Sequence, residues 1–444
     1  MPSLYGDLVA NGDFTSGLTN WWAGDPAMIT IDAPGAGVDA TASTDAVQLW
    51  DAPFGQDGVT LRTGCSYTLS FTARASQPGA VLRAKVGLGA VPWTVAIEQT
   101  VSLPMVDTHF VLPFTAALDT AAGQVAFHIG QASPVTVHLT DVRLTCSTVR
   151  EGFFVDPASN PAKWVADNPA DPRAPQIAGA LARRPIAKWF GDWTADIQSA
   201  VDAHVTGAAA VGKLPILTVY NMVNRDLGGE SRGGAATPAL YRTWIESVAA
   251  GIGGRPALVI VEPDSLAQIG HLPIPEERTE RYGLVAYAAQ TLSALPFTQV
   301  YLDGGHATWT DPAEQAARLK AAGVEAARGF AVGVASFHAT DVSCLYGQQV
   351  AEALAGQGVP GARFVVDTSR NGNGGLDQDG AQVDYCNPAG RRLGPPSSIG
   401  VGGAEYLLWI KAPGDSDGQC GVAPPGTPAG TFSPYLAQRL IEGW

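Results

Sequence analysis

The stretch ALVIVEPDS, residues 257–265, sets the reading of the fold: five consecutive apolar residues run straight into a Glu-Pro-Asp turn. A strand with one face in water alternates apolar and polar side chains. This one does not, so both its faces are covered, as in a parallel sheet flanked by helices. The same grammar recurs on either side. LPILTVY (214–220), TQVYLDG (298–304), GFAVGVAS (329–336) and RFVVDTS (363–369) are apolar runs separated by helical segments such as 239–252 and 311–327. This alternation predicts an α/β barrel or doubly wound sheet over the second part of the chain.

Upstream of residue 150 the pattern is different. Short alternating runs, YTLSFTARA (67–75), AVLRAKVGL (80–88), THFVLPF (108–114) and VTVHLTDVRL (135–144), are punctuated by Gly, Pro and Asp. Regular short strands without an amphipathic helix predict an antiparallel β-sandwich, or jelly roll. The expected organisation is therefore multidomain: a β-sandwich over 1–148 and an α/β unit over 149–444. A length of 444 residues agrees with two cores.

Forty-one acidic against 27 basic residues give a net charge of −14. That charge disfavours phosphate backbones and anionic lipid, so neither nucleic acid nor a membrane is an expected partner. No apolar run reaches the length of a spanning helix, and Met1-Pro2-Ser3 does not open a leader, so either the protein is cytosolic or its signal has been removed; a monomer is expected. The five cysteines support export. Cys65 with Cys146 and Cys386 with Cys420 bracket segments as structural bridges do, which leaves Cys344 over.

In the second part, carboxylates follow the apolar strands, at the edge where parallel α/β folds bind ligands. Asp226 ends VYNMVNRD, Asp264 lies in VIVEPDS, Asp303 in VYLDGGHATW, and Asp415 and Asp417 in LWIKAPGDSDGQC. One such Asp alone is more often a helix cap; four such places at one sheet edge make a pattern. Tyr220, Trp189, Trp193, His306, Trp309, Arg370, Asn371 and Asn373 accompany them. Carboxylates in an aromatic cleft suit glycosidic cleavage, one kept protonated as acid and another ionised. The spacing fits neither a zinc site nor a calcium loop, and no GxSxG elbow is present, so no catalytic metal or cofactor is expected.

At these residues the chain resembles glycoside hydrolase family 6, the inverting cellulases, from about Phe153 to the C-terminus. YNMVNRD, SRGGA, VEPDSLAQ, YLDGGHATW, DTSRNGNG, DYCNPAGRRLG and WIKAPGDSDGQC carry the resemblance, in order. It implies a distorted (β/α) barrel acting on β-1,4-glucan: cellulose and cello-oligosaccharides. Asp264 matches the general acid, Asp226 the partner that raises the acid's pKa, and Asp417 the proposed base. Tyr220 and Ser231 match residues beside the distorted sugar and the attacking water. Asp303 matches a carboxylate supporting the acid, and Lys411 with Asp415 a clamp on sugar hydroxyls. Trp189 matches a stacking platform, His306 and Trp309 contacts on the far side of the scissile bond, and Asn371 belongs to the substrate-binding set. The family's bridge over the Asp226 loop is missing at both ends, with Leu227 and the IGHL segment in place of the two cysteines, whereas Cys386 with Cys420 matches the other family bridge. Short segments at 226–241 and 386–420 imply an open cleft and internal cutting, a cellobiohydrolase being the alternative within the family. A glycan-binding protein without catalysis is the alternative outside it.

NGDF, TNWW, GCSYTLSFTARA and VTVHLTDVRL resemble the family 4 and 9 carbohydrate-binding modules over residues 4–146. The resemblance implies a groove on one sheet face, with Trp22, Trp93 and Gln131 as candidates, Trp50 as a core residue, and room for a structural calcium. Trp21 and Trp22, adjacent on an extended segment, are expected to face opposite ways.

Overall fold

The structure, a computed structural model, describes residues 8–61, 63, 65–146, 152–295, 297–375 and 385–444. The chain divides into two compact units, Met1–Thr148 and Val149–Trp444.

The first unit holds ten strands among its described residues: β1 (Trp22–Ala23), β2 (Ile29–Gly35), β3 (Gly37–Ala42), β4 (Pro53–Leu61), β5 (Ser66–Ala75), β6 (Val81–Leu88), β7 (Val95–Ser102), β8 (Thr108–Thr115), β9 (Thr120–His128) and β10 (Thr136–Cys146). They form two five-stranded sheets, ordered β1-β4-β9-β6-β7 and β2-β3-β10-β5-β8. The alternation seen in sequence is the cause. In β5, Tyr67, Leu69, Phe71 and Ala73 are all buried while their neighbours are part-exposed, so one face packs and the other meets water. Phe71, Phe54 and Trp21 gather around Phe127 to make the centre of this core.

Two expectations for this unit are corrected. Among the described residues no disulfide joins Cys65 to Cys146; the register of β10 on β5 sets Cys146 opposite Tyr67, two residues beyond Cys65. Trp50 is not a core residue. It sits in a short 3-10 turn, Leu49–Asp51, with 55% of its surface exposed and the Arg83 guanidinium 5.8 Å from its ring.

The second unit is built on an eight-stranded sheet, β11 (Lys188–Phe190), β12 (Ile216–Val219), β13 (Ala257–Val261), β14 (Thr298–Asp303), β15 (Gly329–Val332), β16 (Arg363–Asp367), β17 (Ser398–Ile399) and β18 (Tyr406–Leu408). Its order is β11-β12-β13-β14-β15-β16-β18-β17. All pairs are parallel except β17 with β18, and among the described residues no strand ladder joins β11 to the other end, so the curled sheet is a half-barrel. All nine residues of β12 and β13 are buried, Thr218 among otherwise apolar side chains, as strands covered on both faces are.

The helices are α1 (Asn160–Asp167), α2 (Ala174–Ile177), α3 (Ile197–Ala210), α4 (Pro238–Ile252), α5 (Pro275–Ser293), α6 (Pro312–Ala321), α7 (Thr340–Gly356) and α8 (Pro434–Glu442). Three begin with the same two-residue device. Thr237-Pro238, Asp311-Pro312 and Ser433-Pro434 each supply a side-chain acceptor for a free N–H and then a proline where no N–H is needed. Facing α4 and α5, the core joins Tyr241, Ile245 and Val248 to Val259, Leu284 and Ala288.

Parallel register carries the ends of the central strands to one edge. Val219 pairs with Val261 and Val261 with Leu302, so the residues that follow, Tyr220, Glu262 and Asp303, emerge together. Between β11 and the end of β18 the seam is stitched by irregular contacts: Ala187 N–H to Trp409 O at 2.9 Å and Trp189 Nε1–H to Ile410 O at 2.7 Å.

Candidate active site

At this edge the backbone takes conformations that L-residues avoid. Asn224, Asp226, Leu227, Glu262, Asp264 and Ala335 all have φ between +48° and +69°. Each costs about 1–2 kcal/mol relative to ordinary backbone. The turns are held there by hydrogen bonds among the site's own residues. Asp264 N–H donates to Asp303 Oδ2 at 3.0 Å, and Gly305 N–H to the same oxygen at 3.3 Å. Asp226 accepts Ser231 N–H at 2.8 Å on one oxygen and the Gln268 amide at 3.1 Å on the other. Gln268 N–H in turn reaches Asp264 O at 2.8 Å, so one glutamine fastens the Asp264 turn to Asp226.

The carboxylates divide electrostatically. Asp264 is pushed up to about 7, first by burial and then by the charge of Asp226; Lys411 and a hydrogen bond from Tyr220 only partly oppose this. Asp303 is also driven well up, by burial and by Asp264. Asp417 goes the other way. Burial would raise it, but Arg370 and Lys411 outweigh burial and hold it below the ordinary carboxylate range. Arg370 Nη1 lies 2.9 and 2.7 Å from the two oxygens of Asp417, Lys411 Nζ lies 3.1 Å away, and Asn387 N–H donates at 3.0 Å. The disulfide Cys386–Cys420 ties the segment before Asn387 to the one after Asp417.

A cleft of about 480 Å³ adjoins these groups, lined by Trp189, Trp193, Tyr220, Ser231, Lys411 and Asp415 among others. This is the size of a small-ligand site. Trp189 meets Tyr220 edge to face at 5.3 Å, and the Arg225 guanidinium lies 5.0 Å from the Trp193 ring. Lys411 and Asp415 both line the cleft without pairing: Lys411 turns to Asp417 and Ser416 O, while Asp415 accepts from Asn160 at 2.8 Å. Burial pushes Asp415 up to about 7 against the opposing charges of Lys411 and Arg370.

His306 packs on Trp309 at 5.2 Å and on His338 at 4.8 Å, with the Thr308 hydroxyl between the two imidazoles. Burial and His338 lower His306 to about 4, so it is neutral near pH 7. Asn371 is buried, its amide donating to His338 O and Thr340 Oγ1, both at 3.1 Å. Sequence reasoning missed Gln268, Glu262 and Arg281 as parts of the site's frame. The first two lie inside or next to the VEPDSLAQ string; Arg281, on α5, gave no sequence signal. Among the described residues no group of three or more His, Cys, Asp or Glu is placed to hold a metal.

In the first unit, Trp21 turns inward onto Phe14 at 4.7 Å and Trp22 lies on the outer sheet face. Trp22 pairs with Gly55, Gly55 with Ala126, Ala126 with Lys85 and Lys85 with Glu98, which makes one row across the sheet. A Cβ at Gly55 would come within 3.0 Å of the Trp22 ring, so glycine leaves the ring room to lie across the strand. Trp93 is exposed at the other end of the row, with Lys85 Nζ 5.4 Å from its ring. Gln131 spends its amide on the backbone of Val81 and Ile129.

Comparison with known proteins agrees with this geometry. The profile of "Carbohydrate binding domain" matches residues 6–134. "Endoglucanase 1" of Streptomyces halstedii is 45% identical over 300 residues, 67% of this chain and 91% of its own. "Endoglucanase A" of Thermobispora bispora is 38% identical over 336 residues, 74% of this chain and 68% of its own. The solved endoglucanase Cel6 of Mycobacterium tuberculosis, in complex with methyl-cellobiosyl-4-deoxy-4-thio-β-D-cellobioside, superposes with a TM-score of 0.61 at 38% identity, covering 67% of this chain and 99% of its own. The profile of "Glycosyl hydrolases family 6" matches residues 149–443, and with the half-barrel and its carboxylate-lined rim it settles that this glycoside hydrolase chain belongs to family 6.

Proposed function

We propose that the second unit hydrolyses β-1,4-glucan internally, by a single displacement with inversion. The observation that carries this reading is the opposed state of two carboxyls at one sheet edge, Asp264 raised to about 7 and Asp417 held low. Two titratable groups driven apart by their surroundings mark the acid and its ionised counterpart. Asp264 gives its proton to the departing glycosidic oxygen as the bond from that oxygen to the anomeric carbon breaks. Water adds to the same carbon from the opposite face and gives up its proton, directly or through a second water, to the Asp417 carboxylate, which is neutral until it returns that proton to solvent. Asp226 raises the acid's proton affinity, Asp303 supports the acid's turn, and Tyr220 and Ser231 stand beside the reacting sugar. Trp189 stacks on one flank of the scissile bond, and His306 with Trp309 contacts the other; Asn371 braces the His338 turn.

Internal cutting agrees with the relatives named as endoglucanases and with the methyl-cellobiosyl-4-deoxy-4-thio-β-D-cellobioside held by the Mycobacterium enzyme. Export agrees with a disulfide in the second unit. In the front module, residues 1–148, Trp22 and Trp93 form the two ends of a glucan groove, and Gln131 braces the backbone beneath it.

The test is proton NMR of a soluble cello-oligosaccharide digest, with viscosity and reducing ends followed on carboxymethylcellulose. The α-anomer appears first, and viscosity falls ahead of new reducing ends. Asp264→Ala loses roughly 10²–10⁴-fold in turnover and still binds. A β-anomer first product overturns the mechanism, and an inactive wild type the enzyme reading.

A further inference from the structure

The segment Tyr220–Asp226 carries two of the site's residues and has no regular secondary structure before Asp226. Its backbone polar groups therefore need other partners. Three buried charged side chains supply them. Glu262, 1% exposed, accepts Asn221 N–H at 3.0 and 3.1 Å and Met222 N–H at 2.9 Å. Arg225 donates to Tyr220 O at 2.9 Å and to Ser231 O at 2.7 Å. Arg281, reaching over from α5, donates to Val223 O at 3.2 Å and Asn224 O at 3.0 Å. Carboxyl oxygens take the N–H groups and the two guanidiniums the carbonyls, and Arg225 pairs in addition with Asp192 at 2.7 Å, so the clasp is complementary to the chain it holds.

Glu262 stands two residues before Asp264 on the same left-handed turn. The turn that presents the acid thus also grips the segment that presents Tyr220 and Asp226. Resting on the glucanase reading above, we propose that Glu262 is a positioning residue for hydrolysis. It sets Asp226 and Tyr220 at their working separation from Asp264, with Arg281 as the opposing half of the clasp. The groups facing Glu262 are Arg225, Arg281 and the Tyr241 and Tyr220 hydroxyls. No acid or base role is involved, because Glu262 is enclosed and its oxygens are committed to the backbone.

A positioning role has a signature that packing alone lacks. The charge of Asp226 is the second cause of the raised Asp264 proton affinity. If the clasp loosens and Asp226 moves away, the acid loses its proton at lower pH. The experiment is the full pH–rate profile of the whole chain on a soluble cello-oligosaccharide, for wild type, Glu262→Gln and Arg281→Gln. For either variant kcat falls roughly tenfold or more while KM stays within about twofold, and the alkaline limb moves down by about one pH unit. Should Glu262→Gln fail to fold, Arg281→Gln decides the question. A folded variant whose alkaline limb stays at the wild-type pH overturns this proposal alone; a wild type that does not cut the oligosaccharide overturns the glucanase reading and the proposal with it.

Discussion

The Asp303 carboxylate accepts the backbone N–H of Asp264 at 3.0 Å, so the acid's own peptide is fastened by the last residue of the neighbouring strand. Removing the carboxylate orphans two N–H groups, those of Asp264 and Gly305. Asp303→Ala is expected to cost about 1–3 kcal/mol in unfolding free energy, read from urea melts. It is also expected to lower kcat about a hundredfold, through the displaced acid, in single-turnover kinetics. Wild-type turnover in a destabilised variant would refute that coupling.

Asp264 must carry its proton to act, and its folded value near 7 places the alkaline limb of kcat there. Stability follows with the same sign. Asp264, Glu262 and Asp415 are each raised to about 7 from ordinary values near 4. Between those values the folded state holds protons that the unfolded state has released. The contribution is complete below about pH 4 and is lost as pH rises through about 7. Melting temperature should therefore be lower at pH 8 than at pH 5.5, and Asp264→Asn, which cannot ionise, should melt higher than wild type at pH 8 while being inactive. Calorimetry at the two pH values checks both.

Arg370 and Asp417 form a pair whose side chains are 3% and 9% exposed. Truncating the cation leaves a buried carboxylate against Lys411 alone. Arg370→Met is expected to lose about 3–5 kcal/mol of stability. Its acid limb should move to higher pH, since the chief influence holding Asp417 low is gone. An unchanged acid limb in pH–rate measurements would separate Asp417 from that limb.

For the front module the two ends of the row make different predictions from Gln131. Trp22→Ala and Trp93→Ala should each weaken retention in glucan affinity gels roughly tenfold, about 1.4 kcal/mol, with unchanged melting. Gln131→Ala should lower melting and leave retention nearly intact. Equal loss of retention in all three variants would place the groove elsewhere.

The parallel sheet was legible because β12 and β13 are apolar but for Thr218, and strands covered on both faces have that composition. The rim carboxylates were legible for a related reason: an Asp directly after such a run has to lie at the sheet edge. Other features were hidden by the limits of the same signals. Arg281 lies within α5, where sequence position says nothing about the two carbonyls it serves across the fold. Gln268 looks like any amide until the Asp264 and Asp226 turns are brought together. Trp50 is large and apolar, which suggested burial, but a turn residue stacked by Arg83 keeps most of its surface in water. The Cys65–Cys146 pairing failed on two residues of strand register, which bracketing along the chain does not reveal.

The six left-handed residues at the rim also bear on how this protein can be improved. Glycine at Leu227, whose φ is +48°, relaxes the backbone without touching a carboxylate, whereas the same change at Asp226 or Asp264 deletes chemistry. Directed evolution for heat tolerance would find easy gains at the first kind of position and lose turnover at the second. The rim is thus where selection for durability and selection for catalysis pull the sequence in different directions.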